Sequence, residues 1–286
     1  MSTPLETPAA PPQPQHKLPG PRILLMGESG TGKTNSLRTL ISAGITPFVE
    51  FLEPGMETIG DIFNGKQAHY KYRKAFTANW LQLKEMARVV NALPLDGLAK
   101  LQDAQKTKHV AFMDLISDAN DFKCDCCQRS WGDVTKWNTD RAFCIDGLTG
   151  LSDMAMALLV GSKPLRSMSD WGIAQNMIMG FLNYIISDVT CTFVLISHQE
   201  REKDEVTGGT SVTVSTLGQK LAPKIPAKFS DVISVERVGT KFTWSTAATN
   251  AVTKTRNLSI ASGLDASFVP LIEGWKKKGG RIEATL

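Results

Sequence analysis

Residues 22–34 read RILLMGESGTGKT, and this stretch decides the fold. The run ILLM at 23–26 is short, wholly apolar and suited to a buried strand. GESGTGKT follows, and it fits G-x-x-x-x-G-K-[ST] without exception. Strand, glycine-rich loop and helix start in that order predict a phosphate-binding loop made of Gly27, Glu28, Ser29, Gly30, Thr31, Gly32, Lys33 and Thr34. Its glycines let backbone N–H groups turn inward around phosphates, and the following helix start adds partial positive charge. Lys33 is placed to reach the β- and γ-phosphates of ATP, and the Thr34 hydroxyl to hold Mg²⁺.

Outward from the loop, further apolar runs alternate with helical patterns. PFVEFLE (47–53), AFCID (142–146) and TFVLIS (192–197) read as strands, and 33–43, 151–160 and 171–187 as helices. The expectation is an α/β domain, a mainly parallel sheet flanked by helices. Its boundaries are 22–270, with an insertion at 56–141 carrying helical stretches at 78–93 and 96–117. Beyond a loop at 199–224 the chain is expected to be β-rich, with strands at 231–237, 241–246 and 254–260. Proline-rich residues 1–21 read as a disordered tail, and 271–286 as a basic, solvated tail.

Asp146 ends an apolar strand, where a second phosphate-site acid supports Mg²⁺. The residue after it is Gly147, so a water-activating acid cannot stand there. Glu53, at the end of the second strand, is the candidate base, and Glu50 lies on the opposite face because side chains alternate. His198 and Gln199 end the fourth strand, and either can sense the γ-phosphate or its attacking water.

GESGTGKT, a Glu ending the second strand, CIDGLTGLSD (144–153) and LISHQE (195–200) form a specific set. With DWGIAQNMIMGFLNYI (170–185) and TLGQKLAPKIPAKFSDVI (216–233), the chain resembles the RecA-like core-only ATPases of bacteriophages. That group includes single-strand annealing and recombination ATPases. The resemblance, over residues 22–260, implies a RecA-like P-loop NTPase core, Mg-ATP hydrolysis and a homo-oligomer, ring or filament, with ATP at subunit junctions. It also implies single-stranded DNA as partner, gripped by loops at 161–170 and 201–224 that hold Lys163, Arg166, Lys220 and Lys224. An AAA+-type loader or motor is the alternative; it usually carries an acid after the Walker-B Asp and a helical lid. A small-molecule P-loop kinase is a further one, and it would need an Arg-rich lid. ATP kept as a structural ligand of a non-enzymatic DNA-binding protein is the last.

HYKYRKAF (69–76) interleaves cations with aromatics, as single-strand binding surfaces do. Tyr72, Phe76, Trp80 and Leu83 also recur at helical spacing and can face a core instead. KCDCCQRSWGD (123–133) places Cys124 and Cys127 as half of a tetrahedral zinc site. No second half is evident, His109 could supply only a third ligand, and reduced surface thiols are the favoured reading.

The 286 residues carry 32 Lys and Arg against 28 Asp and Glu, a net charge of +4. That is too mild for a polybasic coat, so nucleic acid must be met by local patches. Apolar residues at 42% suffice for a core. Five cysteines argue against a disulfide scaffold and for a reducing cytoplasm. No apolar run is long enough to span a bilayer.

Overall fold

The computed structural model describes residues 17–74, 80–100, 109–161, 166–203, 209–248 and 251–285. Its centre is a run of parallel strands whose residues are apolar on both faces, which is why they read as unbroken hydrophobic stretches. In chain order the strands are β1 (Arg22–Gly27), β2 (Thr46–Phe51), β3 (His69–Tyr72), β4 (Arg141–Asp146), β5 (Thr192–Lys203), β6 (Thr210–Val214), β7 (Asp231–Val238), β8 (Lys241–Ser245) and β9 (Leu264–Asp265). They are ordered β3-β2-β4-β5-β1-β7-β8-β9, parallel as far as β7 and antiparallel beyond it. β6 pairs antiparallel with the outer half of β5.

The helices are α1 (Lys33–Ser36), α2 (Thr39–Ser42), α3 (Gly60–Asn64), α4 (Trp80–Ala92), α5 (Leu95–Lys100), α6 (Ala111–Asn120), α7 (Leu148–Val160), α8 (Met168–Asp188), α9 (Lys224–Ala227) and α10 (Phe268–Lys277). Strand alternation divides the interior in two. Leu24, Met26, Phe143, Ile145, Phe193 and Leu195 pack with α6, α7 and α8. Ile23, Leu25, Cys144, Val194 and Ile196 pack on the other face with α2, α3 and α10. A capping box, Ser167 with Asp170, starts α8.

This order puts β5 between the loop strand β1 and the Asp146 strand β4. Gly27 stands level with His198, Ile196 with Asp146, and Asp146 with Phe51. The ends of four parallel strands therefore converge, at the edge where α/β sheets bind ligands.

Five expectations need correction. The loop expected at 199–224 opens instead as paired strands, because β5 continues to Lys203 and hydrogen-bonds β6 at Thr210–Val214. The insertion at 56–141 is not only helical, since His69–Tyr72 extends the main sheet as an edge strand beside β2. The helically spaced aromatics are no core face: Tyr72 ends that strand and Trp80 is 88% exposed. Residues 254–260 form no strand among the described residues. Instead the buried Asp231 carboxylate accepts hydrogen bonds from Thr255 Oγ1, the Arg256 and Asn257 backbone N–H groups and Asn257 Nδ2, at 2.7–3.0 Å. Such convergence satisfies a loop that has no ladder.

Finally, neither terminus is a free tail where it is described. Leu271, Ile272 and Trp275 of α10 are buried, and the Trp275 indole donates to the Pro19 carbonyl at 2.9 Å. Residues 281–285 bond to Asn138, Thr139 and Asp140. Residues 1–16 of the expected tail lie outside the described residues, as do Phe76, Lys163, Asp204 and Glu205.

Glu50 is an unsatisfied acid within the sheet. It is fully buried on β2, and neither carboxylate oxygen has a hydrogen-bond partner. Burial raises its pKa to about 8, against the opposing pull of Arg73 and Lys71. A raised carboxyl pKa means the folded state holds a proton that the unfolded chain has released. Its contribution is therefore full below pH 4.5, the unfolded value, and is lost as pH rises towards 8. Glu50→Gln, nearly isosteric and never charged, should be close to neutral at pH 4 and stabilising at pH 8, by on the order of a few kcal/mol. Denaturant unfolding of both proteins at the two pH values checks this, and an equal gain at both would exclude titration as the cause.

Candidate active site

The loop takes its shape from glycine. Gly30 and Gly32 have φ of 76° and 90°, in the left-handed region that side chains disfavour. A Cβ on Gly32 would stand 2.5 Å from the Phe242 ring, which β8 lays over the loop. Lys33 is buried, and its Nζ donates to the carbonyls of Gly27 and Glu28 at 2.9 and 2.7 Å. Burial lowers its pKa, while the charges of Asp146 and Glu53 oppose that shift.

Thr34 Oγ1 donates to Asp146 Oδ2 at 2.6 Å. Burial raises the Asp146 carboxyl to about 6, assisted by the nearby Glu53 charge and opposed by the Thr34 hydrogen bond and Lys33. Glu53, two residues past the end of β2, meets this pair from the side. Its Oε1 accepts the Gly150 backbone N–H at 2.9 Å, and its Oε2 lies 3.1 Å from His198 Nε2. Burial alone would raise the Glu53 pKa, but the hydrogen bonds of His198 and Gly150 and the charge of Lys33 hold it below the ordinary value. The carboxylate is ionised at neutral pH.

Gly147 explains itself here. A Cβ at that position would fall 2.5 Å from Glu53 Oε1. The space an acid after Asp146 would need is filled by Glu53, brought in from the neighbouring strand. Lys33, Thr34, Glu53, Asp146, His198 and Phe242 line one cavity of about 300 Å³.

The two residues ending TFVLISHQ separate. His198 lines the Glu53 cavity, whereas Gln199 turns to an adjoining groove with Ser234 and Ser245. Alternation along β5 makes the two mutually exclusive. Arg201, in the same groove, pairs with Glu28 of the loop at 2.8 Å. The pairing of Phe242 with Gly32 and of Arg201 with Glu28 had no signal in the sequence, because each joins segments far apart along the chain. Glu50 lines neither space.

Among the expected cations, Arg166 is exposed and lies 5.9 Å above the Trp171 ring. Gly218 approaches the same ring within 3.8 Å of its Cβ position, and Gln175 Nε2 donates to the Leu217 carbonyl at 2.8 Å. Arg166 and the segment leading into exposed Lys220 and Lys224 are thus gathered at the start of α8. Cys124 and Cys127 stand together with Cys126, and the histidine beside them is His69 rather than His109.

Thr34 and Asp146 offer hard oxygen donors in contact with each other, beside a loop whose glycines leave room for phosphates. That donor set fits Mg²⁺. Among the described residues no helix is long and apolar enough to cross a membrane. A family model described as an AAA domain matches residues 19–257. No curated protein matches the chain.

Proposed function

This chain belongs to the AAA-domain family of nucleotide-binding P-loop ATPases, and from that premise we propose that it hydrolyses Mg-ATP and couples the nucleotide to single-stranded DNA. In this reading it serves phage recombination or strand annealing, in the host cytoplasm, as a homo-oligomer with ATP at subunit junctions. The observation that carries the hydrolytic part is the Glu53 carboxylate. It is ionised, held by Gly150 and His198, and placed beside the Thr34–Asp146 pair.

The loop N–H groups and Lys33 bind the phosphates and hold the γ-phosphate in line. Thr34 and Asp146 would hold Mg²⁺, which neutralises charge on the β- and γ-phosphates when bound. Glu53 orients the attacking water and takes its proton. His198 touches Glu53 and sits on the strand that continues into the β5–β6 hairpin, so it takes the sensor role in place of Gln199. The supply of the carboxylate by Glu53 rather than by residue 147 favours a RecA-like site over an AAA+ loader or motor.

The DNA part is supported by the gathering of Arg166 with the segment at 216–224, and by the phage resemblance of that segment. Single-stranded DNA should bind better than duplex, and better with ATP than without it, and by linkage DNA should then raise ATP affinity by the same factor. Affinity should fall with salt by roughly 0.7 log units per phosphate contact per log unit of salt. Arg166→Ala, or Lys220→Ala with Lys224→Ala, should flatten that slope and leave ATP binding intact. If ATP leaves DNA affinity unchanged and DNA leaves turnover unchanged, the recombination reading fails. Lost turnover at unchanged DNA affinity would instead assign Lys220 and Lys224 to a neighbouring subunit's ATP.

A further inference from the structure

We propose that His69, Cys124, Cys126 and Cys127 hold one structural zinc ion that fastens the insertion to the edge of the sheet. This is independent of the ATPase reading. The four donor atoms lie within 4.8 Å of one another. His69 Nδ1 is 3.7 Å from the sulfurs of both Cys126 and Cys127. Zinc bonds of about 2.3 Å to sulfur and about 2.0–2.1 Å to nitrogen, at tetrahedral angles, put sulfur and nitrogen roughly 3.6 Å apart and two sulfurs roughly 3.8 Å apart. The histidine therefore already stands at ligand distance from two thiols. Cys124 and Cys126 sulfurs are 2.8 Å apart, closer than ligands and longer than the roughly 2.05 Å of a disulfide. Separating them by about 1 Å, through side-chain rotation, completes the tetrahedron.

The backbone prepares this convergence. Phe122–Gly132 is a hairpin closed by Phe122 N–H to Gly132 O, Trp131 N–H to Phe122 O and Cys124 N–H to Arg129 O, at 2.8–3.0 Å. Inside it the Gln128 N–H returns to the Cys124 carbonyl at 2.9 Å, and Gln128 adopts a φ of 57°. That left-handed residue turns the chain so that three thiols from four successive positions share one side. The imidazole packs in a three-ring cluster with Phe48 and Trp131, their centroids 4.8 and 4.2 Å from its own and 5.1 Å from each other. Three thiolates and Zn²⁺ leave one net negative charge. Arg129 and Arg141 answer it, standing 4.5 and 5.1 Å from the Trp131 ring that packs tilted against His69.

The site also has a mechanical purpose. The Asp125 N–H donates to the Tyr70 carbonyl, and the Tyr72 N–H donates to Asp125 Oδ2, at 2.8 and 2.9 Å. Lys71 pairs with Asp125 at 3.1 Å. The hairpin thus lies against β3, an otherwise open edge. Zinc would join β3 through His69 to the hairpin through three cysteines, 57 and 58 residues on in the case of Cys126 and Cys127. Four protein ligands with no open position describe a structural rather than a catalytic site.

The test uses the full chain, purified with a non-chelating reductant and no added chelator. Elemental analysis should find about one zinc per chain, falling below about 0.1 in Cys124→Ser. Because a variant can fail for want of folding, the wild-type protein is also exchanged with Co²⁺. Intense tetrahedral ligand-field bands and a thiolate-to-cobalt charge-transfer band are expected. Cys126 is exposed, and Cys126→Ser, loaded with excess Co²⁺, should lower that charge-transfer band by at least about a third, as expected when one of three thiolates is lost. An unchanged band in Cys126→Ser would remove that residue from the site and overturn the assignment. So would metal-free protein whose three thiols titrate freely, or a disulfide among them with no bound metal.

Discussion

Glu53→Gln should leave Mg-ATP bound and cut its turnover by about 10²–10⁴-fold, the usual weight of a general base. The amide keeps the size of the side chain, and its oxygen can still accept the Gly150 N–H, so α7 stays seated. What it loses is the negative charge, needed only when water is aligned and deprotonated. The comparison must separate chemistry from support, because Glu53 also anchors a helix start. Nucleotide affinity and melting temperature should therefore match wild type while kcat falls. Loss of all three together would mean a purely structural role. Turnover within twofold of wild type would sink the assignment of the base, and Glu50 could not take its place. It is buried, lies outside the cavity and carries a proton at neutral pH.

Lys33→Ala should weaken Mg-ATP binding by up to about 10²-fold, since a charge-assisted hydrogen bond to phosphate is worth up to about 3 kcal/mol. The fold should survive. Lys33 donates to two loop carbonyls, but its ammonium is buried, and removing it also relieves the desolvation that lowers its pKa. Calorimetric titration with Mg-ATP, beside a thermal melt of the unliganded protein, distinguishes the two effects. Unchanged affinity would remove the phosphate loop from the account altogether.

The interior of the fold was legible because its strands are buried on both faces. The runs at 23–26, 142–146 and 192–197 have no polar face to confuse the pattern. The loop and Asp146 were legible because phosphate chemistry tolerates few alternatives at those positions. β3 was not, since HYKY is a four-residue edge strand whose outward residues are polar, and its aromatics mimic a helical period. Residues 254–260 look like a strand, but past Lys254 the Arg256 and Asn257 N–H groups go to one buried carboxylate, Asp231, and the Leu258 N–H to Thr255 Oγ1. His69 could not be joined to the cysteines by spacing, because the link is the packing of an insertion onto an edge. The fit of Gly147 to Glu53 was half visible: the missing acid and Glu53 as its replacement could be read, but not that the Glu53 carboxylate fills the space beside Gly147.

β5 runs without a break from the middle of the sheet to Lys203. Its first half is clamped by β1 and β4, and among the described strands its outer half pairs with β6 alone. His198 stands where the clamp ends. From there to Lys203 is a lever arm of five residues, roughly 17 Å long. A two-stranded ribbon is stiff along its length and soft to twist, so a disturbance at the fulcrum arrives at the tip as a swing, not a stretch. The pair Arg201–Glu28 is a stay between that arm and the phosphate loop, and it is exposed at both ends. A stay of that kind holds with no more than about 1 kcal/mol. The arm is restrained by that pair but not locked by it.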